Sequence, residues 1–150
     1  MDGALMSERY AYILLSNEKW WKRRCEQNRA GKTLQAFVRR GTVGPKNAEL
    51  ILFYITYPSK EIRGYGEFLE RITGTTEELW NAYGHETVFE SYGEYMEFMH
   101  RKTKATFIRF KNLHELSSPI SAKEICRIVG IGRMSRMGKY INKETALQLI

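Results

Sequence analysis

Lys19-Trp20-Trp21-Lys22-Arg23-Arg24 sets two flat indoles inside a run of four cations, so phosphate contacts and base-stacking surfaces share one hexapeptide. The run belongs to a wider excess. Residues 16–46 add Arg29, Lys32, Arg39, Arg40 and Lys46 and hold only Glu18 and Glu26 against them, a balance of +7 that equals the formal net charge of the chain. Residues 61–97 reverse the sign, with nine glutamates against Arg63 and Arg71, and residues 101–150 restore it with eleven cations against three glutamates. If folding gathers the cations on one face, nucleic acid is the leading partner; an evenly mixed surface is the alternative.

Other chemistry is sparser. Gly130-Ile131-Gly132-Arg133-Met134-Ser135-Arg136-Met137-Gly138, followed by Lys139, offers backbone N–H groups, a hydroxyl and guanidiniums, the ingredients of an anion nest. It lacks the spacing and lysine of a phosphate-binding P-loop, and a plain structural loop is the competing reading. Arg63, ahead of Gly64-Tyr65-Gly66, either projects into a pocket near Tyr54 and Tyr57 or is an ordinary strand arginine. Ser16 and Lys19 match a Ser-x-x-Lys pattern without its companion motifs, so no acyl-enzyme chemistry follows. Cys25 and Cys126 have no metal-ligand spacing and read as two buried thiols. His85, His100 and His114 share no helical face, so neither a metal, a cofactor nor a catalytic residue is expected.

At 150 residues, 43% hydrophobic and 13% aromatic, the chain is long enough for one packed core and short for two, which predicts a single domain over 1–150. It contains no apolar run of about 18 residues. Its start lacks the basic, apolar, small-residue order of a signal peptide, so no membrane contact and a cytoplasmic location are expected. Nothing in the sequence sets the oligomeric state.

The elements that must position these groups follow from periodicity and punctuation. Residues 10–15 read as a buried strand, and Ser16 or Asn17 caps a helix that stops near Gly31. On that helix Trp21 and Cys25 are spaced to face inward, while Trp20, turned by about 100°, points nearer the surface. Residues 34–40 alternate as a half-exposed strand. Residues 49–57 are apolar on both faces and should be central, ended by Pro58. Residues 62–72 continue as a strand whose Gly64 and Gly66 mark either barrel curvature or the close approach of a ligand. Thr75 with Glu78 opens a short helix, and the stripe Tyr92, Tyr95, Met96, Met99 predicts another over 90–100, its apolar side in the core. A strand follows at 104–110. Ser121 with Glu124 starts a helix stopped by Gly130, residues 130–140 read as a loop, and Asn142 caps a last helix. Without repeated parallel crossover units, this order favours a small α+β fold or a partly closed barrel.

Three segments carry a family resemblance. Tyr10 to Arg24, a strand running into SNEKWWKRR, resembles the opening of ASCH modules, and ELILFYITYPSKEIRGYGEFLERI is similar to their central hairpin. MGKYINKETALQLI is similar to the close of EVE-type modules. Together they resemble the PUA-like superfamily of PUA, ASCH and EVE modules and related uncharacterised archaeal proteins. The resemblance implies a PUA-like mixed pseudobarrel of about five to six strands with peripheral helices, used in most relatives to bind RNA or a modified base. ASCH relatives also include amidohydrolases of acylated pyrimidine nucleosides that use a Lys and a nearby Glu. Lys19 matches that Lys; the Glu expected three residues on is Lys22 here.

The sequence thus points to a non-catalytic domain binding RNA or a modified nucleobase. One wall is formed by Lys19, Trp20, Lys22, Arg23, Arg24, Arg39 and Arg40, a second by Arg133, Ser135, Arg136 and Lys139, with Arg63 a further candidate. A small amidohydrolase is the alternative, and a protein-interaction module using the acidic helices at 77–100 is a third class.

Overall fold

The computed structural model describes residues 9–136 and 138–150. In chain order the elements are β1 (Ala11–Ser16), α1 (Glu18–Arg29), β2 (Leu34–Arg40), β3 (Leu50–Ile55), β4 (Glu61–Thr75) and α2 (Thr76–Tyr83). A short 3-10 turn at Gly84–Glu86 follows, then α3 (Tyr92–Met99), β5 (Lys104–Ser121), α4 (Ala122–Val129), β6 (Lys139–Ile141) and α5 (Lys143–Leu149). The six strands form one mixed sheet in the order β2-β5-β4-β3-β1-β6, with β1 parallel to β3 and the other pairs antiparallel. This is an α+β pseudobarrel with peripheral helices.

The sheet curls without closing. Its inner face carries Leu14, Ile51, Phe53, Ile55, Ile108 and Phe110, and Trp21 and Cys25 of α1 plug that interior. The opposite face of β1 and β3 packs under α4 and α5 through Ile13, Leu52, Tyr54, Ile125 and Leu149. Ala36, Val38 and Phe107 pack under the α2–α3 region through Leu79, Phe89, Tyr95 and Met99. β3 is central and buried, as its two apolar faces predict. β2 departs from expectation: Gln35 to Val38 are all buried instead of alternating, because α1 covers one face and the 88–99 segment the other.

Side-chain caps start five helices, four where the sequence places them and one a residue away. Asn17 Oδ1 accepts from Trp20 N at 2.9 Å, and Thr75, Ser121 and Asn142 cap α2, α4 and α5 in the same way. In α3 the cap is Ser91, one residue inside the predicted start, and Tyr92 of the stripe is exposed while Tyr95 and Met99 are buried. β5 runs eleven residues beyond the predicted end at Phe110. Asn112 takes a positive φ of 55°, a bulge that re-aims the strand so Leu113 returns to the interior. The predicted 130–140 loop ends in β6, a three-residue strand on the edge of β1. Cys25 is buried as expected, and burial pushes its thiol up to about 12; Cys126 is only half-buried.

The two β4 glycines answer to close approach, and what approaches is the protein's own core. A Cβ at Gly64 would meet the His114 carbonyl oxygen and lie 2.6 Å from Cη2 of Trp21, and one at Gly66 would lie 2.8 Å from the Phe110 ring. Position 64 has neither a yielding side chain nor an open side to expand into. Gly64→Ala should therefore destabilise the fold by about 1–3 kcal/mol, read as a lower urea midpoint at unchanged m-value.

Candidate functional site

The open seam of the barrel lies between β1 and β2. β6 covers only Ala11 to Ile13 of β1, and β2 pairs only with β5, so the Leu14–Ser16 end of β1 and the outer edge of β2 face each other unpaired. A hydrogen bond from Arg39 to the Tyr12 hydroxyl spans the seam at one point. Beyond it opens a cavity of about 350 Å³. Its walls are Leu15 and Ser16 of β1, Asn17, Trp20 and Arg24 at the start of α1, residues 36–40 of β2, Val88, Phe89, Phe98 and Arg136. That volume suits one small planar ligand.

The charge of this lining is one-sided. Arg24, Arg39, Arg40 and Arg136 border it, and no Asp or Glu does among the described residues. Each cation is placed differently. Arg40 is exposed, its Nε donating to the Phe98 carbonyl oxygen at 2.6 Å with the guanidinium 4.5 Å from the Phe98 ring centroid. Arg136 lies two residues before Gly138, which packs closely on β1: a Cβ at Gly138 would lie 2.6 Å from the Ile13 carbonyl oxygen and from the Tyr12 hydroxyl. Arg24 is 2% exposed, with its guanidinium 5.0, 5.7 and 6.0 Å from the ring centroids of Phe37, Phe53 and Phe110. Desolvation lowers its pKa to about 10, and its Nε and Nη1 have no hydrogen-bond acceptor.

Aromatic rings complete the wall. Trp21 is sealed in the core at 4% exposure, and Trp20, one position away, is half-buried at the cavity. Its indole meets Phe89 edge-on at 5.0 Å and Phe98 at 6.3 Å. Lys19 Nζ lies 4.4 Å and the Arg23 guanidinium 5.1 Å from the Trp20 ring centroid, so cations already rest on this indole.

Of the sequence candidates, the fold brings together Trp20, Arg24, Arg39, Arg40 and Arg136, with Lys19 and Arg23 at the indole. Arg23 is engaged by Glu94 at 2.5 Å and by the Val88 carbonyl oxygen, which ties α1 to the α3 region. Lys22 and Arg63 are on the other side of α1, around a second cavity shared with Glu18, Glu26 and Glu115. There Arg63 is held by Glu18, Glu61 and the Ser59 hydroxyl, which makes it an ion-paired strand arginine. Arg133 is exposed on the Arg136 segment but outside the lining, and Lys139 is in β6 opposite Ile13. Three N–H groups of the anticipated nest are used internally: those of Gly130 and Ile131 donate to the Cys126 carbonyl oxygen, and Gly138 N–H to that of Ser135. Phe89 and Phe98 were not legible as site residues. Phe98 falls off the 92-95-96-99 stripe, and both belong to the region of the acidic helices at 77–100, whose charge points away from the nucleic-acid reading.

No family model and no curated protein matches the sequence. Solved structures do. The ASCH protein from Zymomonas mobilis superposes with a TM-score of 0.74 at 21% identity, over 95% of this chain and 94% of that one. A serine-to-alanine variant of it gives 0.76 at 22% identity over 95% and 96%, and a tyrosine-to-phenylalanine variant 0.74 at 21% over 94% and 96%. The chain has the ASCH fold. The expected PUA-like architecture thus holds across nearly the full length of both chains, and the open seam described above is a feature of this ASCH-fold sheet.

The Arg23–Glu94 contact holds the wall of the ASCH-fold cleft in place. Burial alone would raise the Glu94 pKa, but hydrogen bonds from Arg23 and the Glu90 backbone N–H, with the charges of Arg23 and Lys19, hold it below the ordinary 4.5. A carboxylate depressed in the folded state stabilises above the unfolded value and loses this contribution as pH falls through the folded one. Thermal melts of the parent and Glu94→Gln should therefore differ most above pH 4.5 and converge as pH falls through the depressed value below it.

Proposed function

We propose that the seam cleft binds a single-stranded nucleic acid, RNA first, accepting one nucleobase among Trp20, Phe89 and Phe98 while the flanking phosphates meet Arg40 and Arg136. One observation carries this reading. Four guanidiniums and a cluster of aromatic rings face a single cavity that no carboxylate borders among the described residues. A duplex offers no unstacked base to such a hollow, whereas a single strand does. Modified bases belong to the same class of ligand, since a recessed pocket reads a base by its shape and edges.

The same lining supports binding without chemistry. No carboxylate, imidazole, thiol or amine borders the cavity among the described residues, so the groups that ordinarily move protons in hydrolysis are missing there. Lys19, the residue that the family resemblance links to amide hydrolysis, rests on the Trp20 ring instead of facing the cavity. The Ser16 hydroxyl donates to the Asn17 carbonyl oxygen at 3.2 Å, with no base beside it.

Fluorescence anisotropy with a labelled single-stranded RNA tests the proposal. Binding should weaken steeply with salt, and Arg136→Ala should flatten the log–log salt slope by roughly 0.7. Trp20→Ala should cost on the order of 1–3 kcal/mol of binding with little change in slope. Equal affinity of the Trp20 variant and the parent would remove this indole as a stacking surface. Absence of any RNA binding at low salt refutes the proposal.

A further inference from the structure

Resting on the proposal that the cleft receives a nucleobase, we infer that Arg24 is its base-reading residue, selecting bases that present two adjacent acceptors on one edge, guanine or cytosine, over adenine and uracil. The starting observation is an uncompensated cation. Arg24 is 2% exposed, no carboxylate among the described residues pairs with it, and its Nε and Nη1 have no hydrogen-bond partner. A buried guanidinium in this condition is costly unless something supplies acceptors. The neighbouring Cys25 thiol stays protonated, its pKa pushed up to about 12 by burial, so it is not a counter-ion.

The position of Arg24 says what could complete it. It borders the cavity and is backed by Phe37, Phe53 and Phe110, while Gln35 Nε2 donates to the Arg24 carbonyl oxygen at 3.2 Å and fastens that turn of α1 to β2. The side chain is thus held in place before any ligand arrives. The exposed Arg40 and Arg136 are the groups suited to hydrated phosphates. An arginine recessed among rings is suited to a flat partner with acceptors in its own plane. Guanine offers O6 and N7 side by side, the commonest specific match to an arginine fork. Unpaired cytosine offers O2 and N3. Adenine sets the N6 amino donor beside each acceptor on its exposed edges, and uracil sets N3–H between its two carbonyls, so either leaves one arginine N–H facing a donor or nothing.

The decisive experiment uses the native protein and short oligoadenylate RNAs carrying a single central G, C, U or A. The inference expects G or C to bind about tenfold or more tightly than A and U, the discrimination of one good bidentate pair. If guanine is preferred, 7-deazaguanine, which lacks the N7 acceptor, should lose most of that advantage; undiminished binding of the 7-deaza RNA overturns the O6/N7 contact. Arg24→Lys keeps the charge but not the fork, and should bring the bases to similar affinity at an unchanged salt slope. Should that variant fail to fold by circular dichroism, the base series on the native protein still decides. Measurable binding with no base preference, or with A or U favoured, overturns the role of Arg24 and leaves the proposed function standing. No binding of any oligomer overturns both.

Discussion

The indole of Trp21 occupies the space that any side chain at position 64 would need, and this one steric exchange fixes how α1 rolls against the sheet. With Trp21 driven into the barrel, Cys25 four residues on follows it inward and Arg24 three residues on is carried below the surface. Trp20, about 100° away, is left at the barrel mouth. The helix could not turn to expose Arg24 without withdrawing the plug. Burial of a cation here follows from where the plug has to be, and the lone guanidinium among phenylalanines is what the core tolerates in exchange.

The second constraint is topological. A sheet ordered β2-β5-β4-β3-β1-β6 brings its two ends round toward each other, but β6 reaches only the first half of β1. The outer edge of β1 beyond Ile13 has no strand on it, and the gap is bordered by backbone edges, one indole and four arginines. The 88–98 part of the acidic region supplies the outer wall. Its glutamates are turned to structural use: Glu94 on Arg23, and Glu86 with Glu70 on Arg109. The acidic stretch thus supplies Val88 and Phe89 to the cleft while none of its glutamates lines it.

How far the sequence reveals this differs by element. Caps at Asn17, Thr75, Ser121 and Asn142 are local hydrogen-bond patterns, and they read directly. The doubly apolar β3 is equally plain. The second half of β5 is not, because Asn112 breaks the alternation and residues 114–119 are largely polar; they pair because β4 is long enough to hold them. β6 is too short to announce itself. For the site, charge and aromatic composition pick out Trp20, Arg24, Arg39, Arg40 and Arg136, yet composition has no depth. Lys22 and Arg23 flank Arg24 in sequence, but one faces a different cavity and the other is consumed by a salt bridge. Phe89 and Phe98 enter the cleft only through tertiary packing, which no local period encodes.

The free edge of β2 has a further consequence. An unpaired strand edge invites another polypeptide to add to it, the usual route to runaway sheet growth. Here Ala36 to Arg40 are walled by Val88, Phe89 and Phe98, and Arg40 is anchored on the Phe98 carbonyl oxygen. Another strand could add along this edge only by displacing the aromatic screen that stands over it.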